Sequence, residues 1–99
     1  MLVRFTDEAE SDLEEIGNFI AEDSPGRAAS FVAELVDRCL GLSGYPQRYA
    51  IFVRRGNRDI RRFPHGNYVI FYSIVSDTVE INHVVHGARD HIRLLFPET

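Results

Sequence analysis

The stretch DIRRFPHGNYVIFYSIV, residues 59–75, decides the fold of this chain, because its apolar residues follow the period of a β-strand. Asp59–Phe63 is expected to form one strand, and residues 64–67 (Pro-His-Gly-Asn) have the composition of a tight turn. The run Tyr68–Val75 is almost continuously β-branched or aromatic, which is typical of a central strand buried on both faces. The stretch therefore predicts a β-hairpin inside a sheet.

The sheet is expected to continue beyond this hairpin. Ser76-Asp77 marks the next turn. A strand with one dry and one wetter face is then predicted, because Val79, Ile81, His83 and Val85 alternate with Glu80, Asn82, Val84 and His86. Residues 89–96 are expected to form a short amphipathic tail that ends at Pro97. Upstream, residues 45–58 are predicted to be irregular or weakly extended, with a turn at Gly56-Asn57.

Two helices are predicted before the sheet. Leu2–Phe5 can form a first or edge strand, and Thr6 then offers an N-cap hydroxyl ahead of acids in the first turn. Ser24 before Pro25 has the pattern of a second N-cap and first helical position. Apolar residues recur at helical steps as Ala9, Leu13, Ile16, Phe19 and Ile20, and then as Ala28, Phe31, Val32, Leu35, Cys39 and Leu42. The short link makes the helices antiparallel neighbours.

These elements predict a single α+β domain over residues 1–99. An N-terminal strand and an antiparallel helical hairpin are expected to pack on a C-terminal antiparallel β-sheet, followed by a short helical tail. The one cysteine, Cys39, excludes an internal disulfide and is expected to be a small buried hydrophobe. No stretch approaches the roughly 20 apolar residues of a membrane span, and Met1–Thr6 lacks a signal-peptide pattern, so the cytoplasm is the expected compartment.

Charge is distributed unevenly along the chain. Residues 1–37 hold ten acids and two arginines (net −8), and residues 38–72 hold seven arginines and one acid (net +6). Residues 73–99 have a net charge of −2, so the total of −4 describes a dipolar molecule. The arginine segment can attract phosphate or an acidic peptide within about 8 Å at physiological salt. A solvated surface, or neutralisation of the helical carboxylates within the molecule, is the alternative interpretation.

Several motifs together resemble one family over nearly the whole chain. The helices carry Ala9-x-x-Asp12-Leu13-x-x-Ile16-x-x-Phe19-Ile20, Ala28-x-x-Phe31 and Leu42-x-x-x-Pro46. The sheet region carries Arg61-x-Phe63-Pro64-x-Gly66-x-Tyr68-Val69-Ile70-Phe71-Tyr72 and Val84-x-His86-Gly87-Ala88-Arg89-Asp90. In this order the motifs resemble those of ParE-type toxins of the RelE/ParE toxin–antitoxin superfamily.

The resemblance implies a toxin that is held inactive by a cognate ParD-like antitoxin. Such an antitoxin wraps the toxin with an extended C-terminal region and binds DNA through a ribbon-helix-helix half, so the toxin meets DNA only indirectly. For ParE-type toxins the resemblance implies inhibition of DNA gyrase by direct binding, with no cofactor and no membrane partner. The antitoxin is expected to add a strand to an open sheet edge or to lay a helix beside the helical hairpin.

The RelE branch of the superfamily implies a different activity, ribosome-dependent mRNA cleavage. The resemblance places its two catalytic lysines at Ile60 and Arg62, an arginine at Val69 and a tyrosine near Leu95 or Phe96. Only Arg89 matches, with Arg62 as a partial substitute, which favours a toxin that binds its target without cleaving it. If the chain is a nuclease, the candidate catalytic residues are Arg62, His83, His86 and Arg89.

The candidate residues for binding the target or the antitoxin combine arginines with two aromatic residues near element ends. They are Arg54, Arg55, Arg58, Arg61, Arg62, Phe63, Arg89 and Phe96. Arg89 and Asp90 have a structural alternative, as an ion pair or as a cap of the C-terminal turn. His86 has one as a turn residue bonded to the backbone. No metal site is expected, because His83 and His86 in a strand point to opposite faces and no third ligand joins them.

Overall fold

The fold is a five-stranded sheet that carries two long helices on one face. The computed structural model describes residues 1–97, apart from the side chain of Arg55. In chain order its elements are β1 (Leu2–Phe5), α1 (Asp7–Ala21), α2 (Pro25–Leu40), β2 (Ile51–Arg55), β3 (Arg58–His65), β4 (Tyr68–Val75), β5 (Thr78–His86) and α3 (His91–Leu95), with a 3₁₀ turn at Gly41–Ser43. Within residues 1–97 no helix is long and apolar enough to cross a membrane.

The strand order is β1-β5-β4-β3-β2, and the predicted fold class is confirmed. The four C-terminal strands pair antiparallel, as expected. β1 joins the sheet parallel to β5, with Leu2 opposite Thr78 and Phe5 opposite Ile81, so the whole sheet is mixed. The connection between the parallel strands β1 and β5 is long, because it contains the helical hairpin and then β2, β3 and β4.

Both helices begin where the sequence predicts. The hydroxyl of Thr6 accepts a hydrogen bond from the backbone N–H of Ala9 at 3.1 Å, and that of Ser24 accepts one from Arg27 at 3.2 Å. Pro25 occupies the first turn of α2, where its missing N–H has no helical partner to lose. Side-chain caps thus fix the start of each helix.

The helices pack on the sheet through one continuous core. Its central members include Ile16, Leu35, Tyr72 and Ile81, and the hydroxyl of Tyr72 donates to the carbonyl of Pro46 at 2.7 Å. Cys39 is fully buried, as predicted, and burial raises the pKa of its thiol to about 12.

The segment before the hairpin is more regular than the sequence predicts. Residues 51–55 form an edge strand, β2, which pairs with β3 from Ile51–Arg61 to Arg55–Arg58, so the expectation of an irregular or weakly extended segment is wrong there. The sequence pattern of β2 is weak because an edge strand pairs with a neighbour on one side only. β3 continues through Pro64, which the sequence places in a turn. Its missing N–H is tolerated because β2 begins only opposite Arg61, so no β2 residue pairs with Pro64.

An extra residue in β5 changes the faces of its side chains. Phe71 of β4 lies opposite His83 and Tyr72 lies opposite Ile81, so Asn82 has no partner on β4. This β-bulge shifts the alternation by one residue. Val84, rather than His83 and Val85, continues the helix-facing core, and the predicted regular alternation from 79 to 86 is therefore wrong beyond Ile81.

The opposite face of the sheet has a second, smaller core that α3 closes. Ile60, Phe71, Val85 and Phe96 are its buried members. Asp90 caps α3 by accepting a hydrogen bond from the N–H of Arg93 at 3.2 Å, which agrees with the structural alternative foreseen for this aspartate. α3 is five residues long, so packing and this cap hold it in place rather than intrinsic helix stability.

His91 of α3 is held as a neutral imidazole. Its Nδ1 lies 3.0 Å from a guanidinium nitrogen of Arg62, and because guanidinium only donates, Nδ1 is the acceptor. The ring also meets Phe71 edge-on, with the centroids 4.8 Å apart. Burial lowers the pKa of His91 below its ordinary value, and the charge of Arg62 lowers it further.

The outer edge of β5 is closed by a carboxylate. β1 pairs with β5 only as far as Ile81, so the next residues of β5 have no neighbouring strand on this edge. One oxygen of Asp12, on α1, accepts a hydrogen bond from the N–H of Val84 at 3.0 Å and lies 3.0 Å from Nδ1 of His83. Asp12 therefore replaces the missing strand partner and fixes α1 to the sheet.

Asp12→Ala is expected to lower the free energy of unfolding by about 1–3 kcal/mol, because it leaves the partly buried N–H of Val84 without an acceptor. Glu14→Ala is the matched control, since Glu14 is an exposed carboxylate on the same helix. Urea denaturation gives the energies, and amide hydrogen exchange reports Val84 directly. Equal protection of Val84 in the two variants contradicts the proposed tether.

A pH dependence follows from the lowered pKa of His91. The unfolded chain, with a His91 pKa of about 6.5, binds this proton more readily than the folded chain, so protonation favours unfolding. The contribution of His91 is complete above that pH and is lost as the pH falls towards the folded pKa. We expect wild type to lose more stability than His91→Gln between about pH 7.5 and pH 5 in urea titrations. Parallel curves contradict this.

Candidate partner-binding surface

The arginine at the end of the edge strand is already neutralised. Nε of Arg54 lies 2.6 Å from Oδ1 of Asp59, and Nη2 lies 3.2 Å from Oδ2. The mutual hydrogen bonds raise the pKa of Arg54 and lower that of Asp59. Both groups are solvent-exposed, so the pair contributes little to stability. The predicted partner contact of Arg55 falls on a side chain outside the described residues.

Arg58 lies on the sheet face opposite the long helices and joins a buried polar chain. Its guanidinium donates to the side-chain oxygen of Asn82 at 3.3 Å, and the amide of Asn82 donates to the hydroxyl of Ser73 at 3.0 Å. Asn82 and Ser73 are buried, so each satisfies the other where water is excluded. Arg58 thus keeps its charge while a neutral amide positions it.

Arg62 lies on the same face and is positioned by aromatic groups. Its guanidinium carbon is 3.7 Å from the ring centroid of Phe52, and its Nη1 donates to His91. A cation over a ring face contributes about 0.5–1 kcal/mol at an exposed site. Arg62 is therefore involved in holding α3 as well as being exposed to partners.

Arg61 points to the helix side of the sheet and belongs to a group that the sequence prediction missed. Its Nη1 donates to the carbonyl of Tyr49 at 2.6 Å, Nη2 of Arg38 donates to the hydroxyl of Tyr49 at 3.1 Å, and the guanidinium of Arg48 lies 5.3 Å from the ring centroid. We call Arg38, Arg48, Tyr49 and Arg61 the Tyr49 cluster. Arg38 and Arg48 lie inside the arginine segment, but their shared contact with Tyr49 is not encoded in sequence spacing.

The two aromatic residues of the predicted set are core residues. Phe63 is 1% exposed and stacks on Tyr49 with ring centroids 4.3 Å apart, and Phe96 is 9% exposed in the smaller core. Both rings are therefore buried in this structure, and their predicted contact with a partner stays a prediction that requires the side chains to become accessible. Conversely, Phe19 is 67% exposed on α1, so its predicted place in the buried stripe is wrong.

A shallow groove of about 150 Å³ lies beside this exposed ring. It is lined by Phe19 and Glu15 of α1, by Tyr68 and His86 of the sheet, and by Arg89. Nδ1 of His86 accepts a hydrogen bond from the N–H of Ala88 at 3.2 Å, which agrees with its structural alternative as a turn residue. The groove combines an apolar floor with charged groups at its rim.

Of the four candidate nuclease residues, His86 and Arg89 line the same groove, whereas Arg62 and His83 lie elsewhere. Among the described contacts, His83 binds Asp12, Arg62 binds His91, and His86 binds the turn, with no hydrogen bond or ion pair joining any two of the four. His83 and His86 lie opposite Phe71 and Tyr68, whose side chains face opposite cores. No group of three metal-binding side chains occurs in the part of the chain that the structure describes.

Three solved structures share this fold. A chain of the chromosomal ParDE toxin–antitoxin system of P. aeruginosa matches with a TM-score of 0.72 and 15% identity, over 87% of this chain and 95% of that one. The RelBE2 toxin–antitoxin complex of Mycobacterium tuberculosis matches at 0.61 with 30% identity (89% and 92%). Isolated E. coli RelE matches at 0.60 with 14% identity (95% and 92%). Comparison with curated proteins gives no significant match.

Comparison of the sequence with family models agrees with the resemblance that the motifs indicate. Residues 3–91 match the model described as the ParE toxin of the type II toxin–antitoxin system parDE. The match runs from β1 into α3 and thus includes every strand of the sheet and the Tyr49 cluster. The chain belongs to the ParE toxin family, within the RelE/ParE superfamily of type II toxin–antitoxin systems.

Proposed function

We propose that this toxin acts in the bacterial cytoplasm by binding DNA gyrase without cleaving a substrate, and that a ParD-like antitoxin neutralises it. The antitoxin is a ribbon-helix-helix DNA-binding protein, so contact with DNA passes through it. Membership of the ParE family supports this target over the ribosome. The named neighbours from P. aeruginosa and M. tuberculosis are toxin–antitoxin systems, which supports a protein partner of the antitoxin class.

The candidate catalytic groups do not all lie together, and this observation favours a binding mechanism over cleavage. RNA cleavage through the 2′-hydroxyl needs a base, a cation for the phosphorane and an acid within hydrogen-bond reach of one scissile bond. Here Arg62 faces the α3 side of the sheet with His91, and His86 lies at the groove beside Tyr68. Charged groups that point to different faces suit contacts spread over a macromolecule.

Exposed arginines and an exposed aromatic ring are available for contacts with a macromolecule. Arg58, Arg62 and Arg89 are exposed, and Phe19 offers an aromatic ring next to Arg89. Arginine and aromatic residues are enriched among the residues that dominate interface energies. We assign the groove to a helical segment of the antitoxin, because its exposed ring and apolar floor fit one face of an amphipathic helix. The same groove cannot hold gyrase while the antitoxin occupies it.

A second function, mRNA cleavage of the RelE type, is favoured by one observation. Asp12 holds Nδ1 of His83 at 3.0 Å, and His83 shares a cavity of about 460 Å³ with Arg58. A carboxylate that orients a histidine next to a cation is the minimum arrangement for a general base. Glu8 and Glu80 line the same cavity and oppose the approach of phosphate, which places this function second.

Purified toxin is expected to inhibit the supercoiling of relaxed plasmid DNA by gyrase, with at least a tenfold loss of the supercoiling rate at saturation. Addition of the antitoxin is expected to restore that rate. In a parallel translation reaction, primer extension is expected to show uncut mRNA. His83→Ala is the matched variant, since it removes the candidate base and leaves the groove unchanged. Full supercoiling at saturating toxin refutes the gyrase proposal. Codon-specific cuts that disappear in His83→Ala establish the nuclease instead.

A further inference from the structure

Three guanidinium groups surround a single tyrosine at the start of β2. Arg61 donates to the backbone carbonyls of Tyr49 at 2.6 Å and Gln47 at 3.4 Å, so it also fixes the loop that enters the strand. Arg38 reaches the hydroxyl of Tyr49 from α2, and Arg48 lies over the ring. Elements far apart in sequence thus bring three positive charges to one place.

Neutral groups, rather than acids, position these guanidinium groups. Arg38 also lies 3.0 Å from Nδ1 of His65 and 5.1 Å from the ring centroid of Phe63. In contrast, Arg4, Arg27 and Arg54 form ion pairs with Glu80, Glu34 and Asp59 respectively. Within the described residues no carboxylate lies within ion-pair distance of the Tyr49 cluster, although Asp59 feels the charge of Arg61 at longer range. No described carboxylate therefore pairs directly with the cluster, and Glu34 reaches it only through His65, whose Nε2 lies 3.1 Å from Oε1 of Glu34.

The cluster is ordered before any partner arrives. Tyr49 stacks on buried Phe63 with an interplanar angle of 10°, so the residue at the centre is rigidly placed. Each guanidinium has five N–H donors, and the hydrogen bonds to protein use only one or two nitrogens of Arg61 and Arg38. Fixing an arginine in advance reduces the entropy lost when it binds, and the free donors match carboxylate oxygens in pairs.

We propose that the Tyr49 cluster is an anion site for the side-chain carboxylates of an acidic peptide segment. In an extended peptide, side chains at alternate positions point to the same side and lie about 7 Å apart. Carboxylates at such positions can reach the guanidinium groups together, because these groups all contact Tyr49. Tyr45 is 63% exposed and its carbonyl accepts a hydrogen bond from the N–H of Arg48, so an apolar contact adjoins the charges. The inference rests on the proposed function in one respect, since it assigns the acidic segment to the antitoxin.

A peptide fits this site better than a nucleic acid does. The positive charge is compact, and the ring of Tyr49 is covered by Phe63 on one face and by Arg48 on the other, so it offers no platform for a base. Residues 1–37 carry a net charge of −8 and the whole chain −4, which opposes a long polyanion but not a short acidic segment.

The test uses the full-length toxin and hexaglutamate as the acidic probe, with hexaglutamine and a single-stranded 12-nucleotide DNA for comparison. Calorimetry gives the dissociation constants at low salt, and NMR of the arginine Nε–H groups locates the contact. Arg48→Gln is the principal variant, because the side chain of Arg48 contributes only its contact with the ring of Tyr49 to the fold. Arg93→Gln is the matched control, since it removes the same charge from exposed α3.

We expect Arg48→Gln to weaken hexaglutamate binding roughly tenfold and Arg93→Gln to change it less than about twofold. Arg48→Lys is expected to recover only part of the loss, because an ammonium lacks the two-pronged geometry. Arg38→Gln, checked for folding by circular dichroism, is expected to act like Arg48→Gln. Equal weakening by Arg93→Gln, unchanged affinity in Arg48→Gln, or tighter binding of the DNA at the same arginines overturns the proposal.

The gyrase assay is run on the same variants, so that the two proposals can fail separately. If Arg48→Gln no longer binds hexaglutamate and the wild-type toxin does not inhibit gyrase, the anion site is supported and the proposed target is refuted. Wild type that inhibits gyrase but binds hexaglutamate no better than hexaglutamine refutes the anion site alone.

Discussion

One extra residue in β5 determines how both faces of the sheet are used. Because Asn82 has no partner on β4, Ile81 and Val84 face the helices although they are three residues apart. Without the bulge, strict alternation would place the imidazole of His83 in the larger core and move Val84 to the other face. The bulge instead brings His83 to the open edge, where Asp12 binds both it and the next N–H. The position of α1, and with it the helical hairpin, depends on this irregularity.

Local signals made most of the secondary structure predictable. Thr6 and Ser24 cap the helices through hydrogen bonds to residues three positions on. The run Tyr68–Val75 forms the predicted strand because of its own composition, and residues 70–73 of it are buried. The bulge and the edge strand β2 could not be found in this way. Both depend on what lies beside the strand: a bulge is defined by its partner's register, and an edge strand is half unpaired.

The site was predictable only as a region. The arginine segment is visible in the sequence, but whether an arginine is neutralised depends on its neighbours in space. Arg54 meets Asp59 across a two-residue turn, a pairing that the hairpin could have suggested. Arg61 meets backbone carbonyls of a loop that carries no pattern, and Arg38 arrives from a helix. The burial of Phe63 could not be predicted for the same reason, since its stacking partner Tyr49 lies in that loop.

The way in which the arginines are held has a bearing on mechanism. A catalytic cation acts at one atom and needs a base beside it. Here Arg58 and Arg62 are exposed on one face of a hairpin and half-buried Arg61 lies on the other, and amides, carbonyls and rings position them. Such an arrangement keeps the charge available while the side chains are already ordered, which favours fast, oriented encounter with an acidic partner. Charge that is dispersed over the two faces of a hairpin suits recognition of a macromolecule, because it does not concentrate the field on a single bond as catalysis requires.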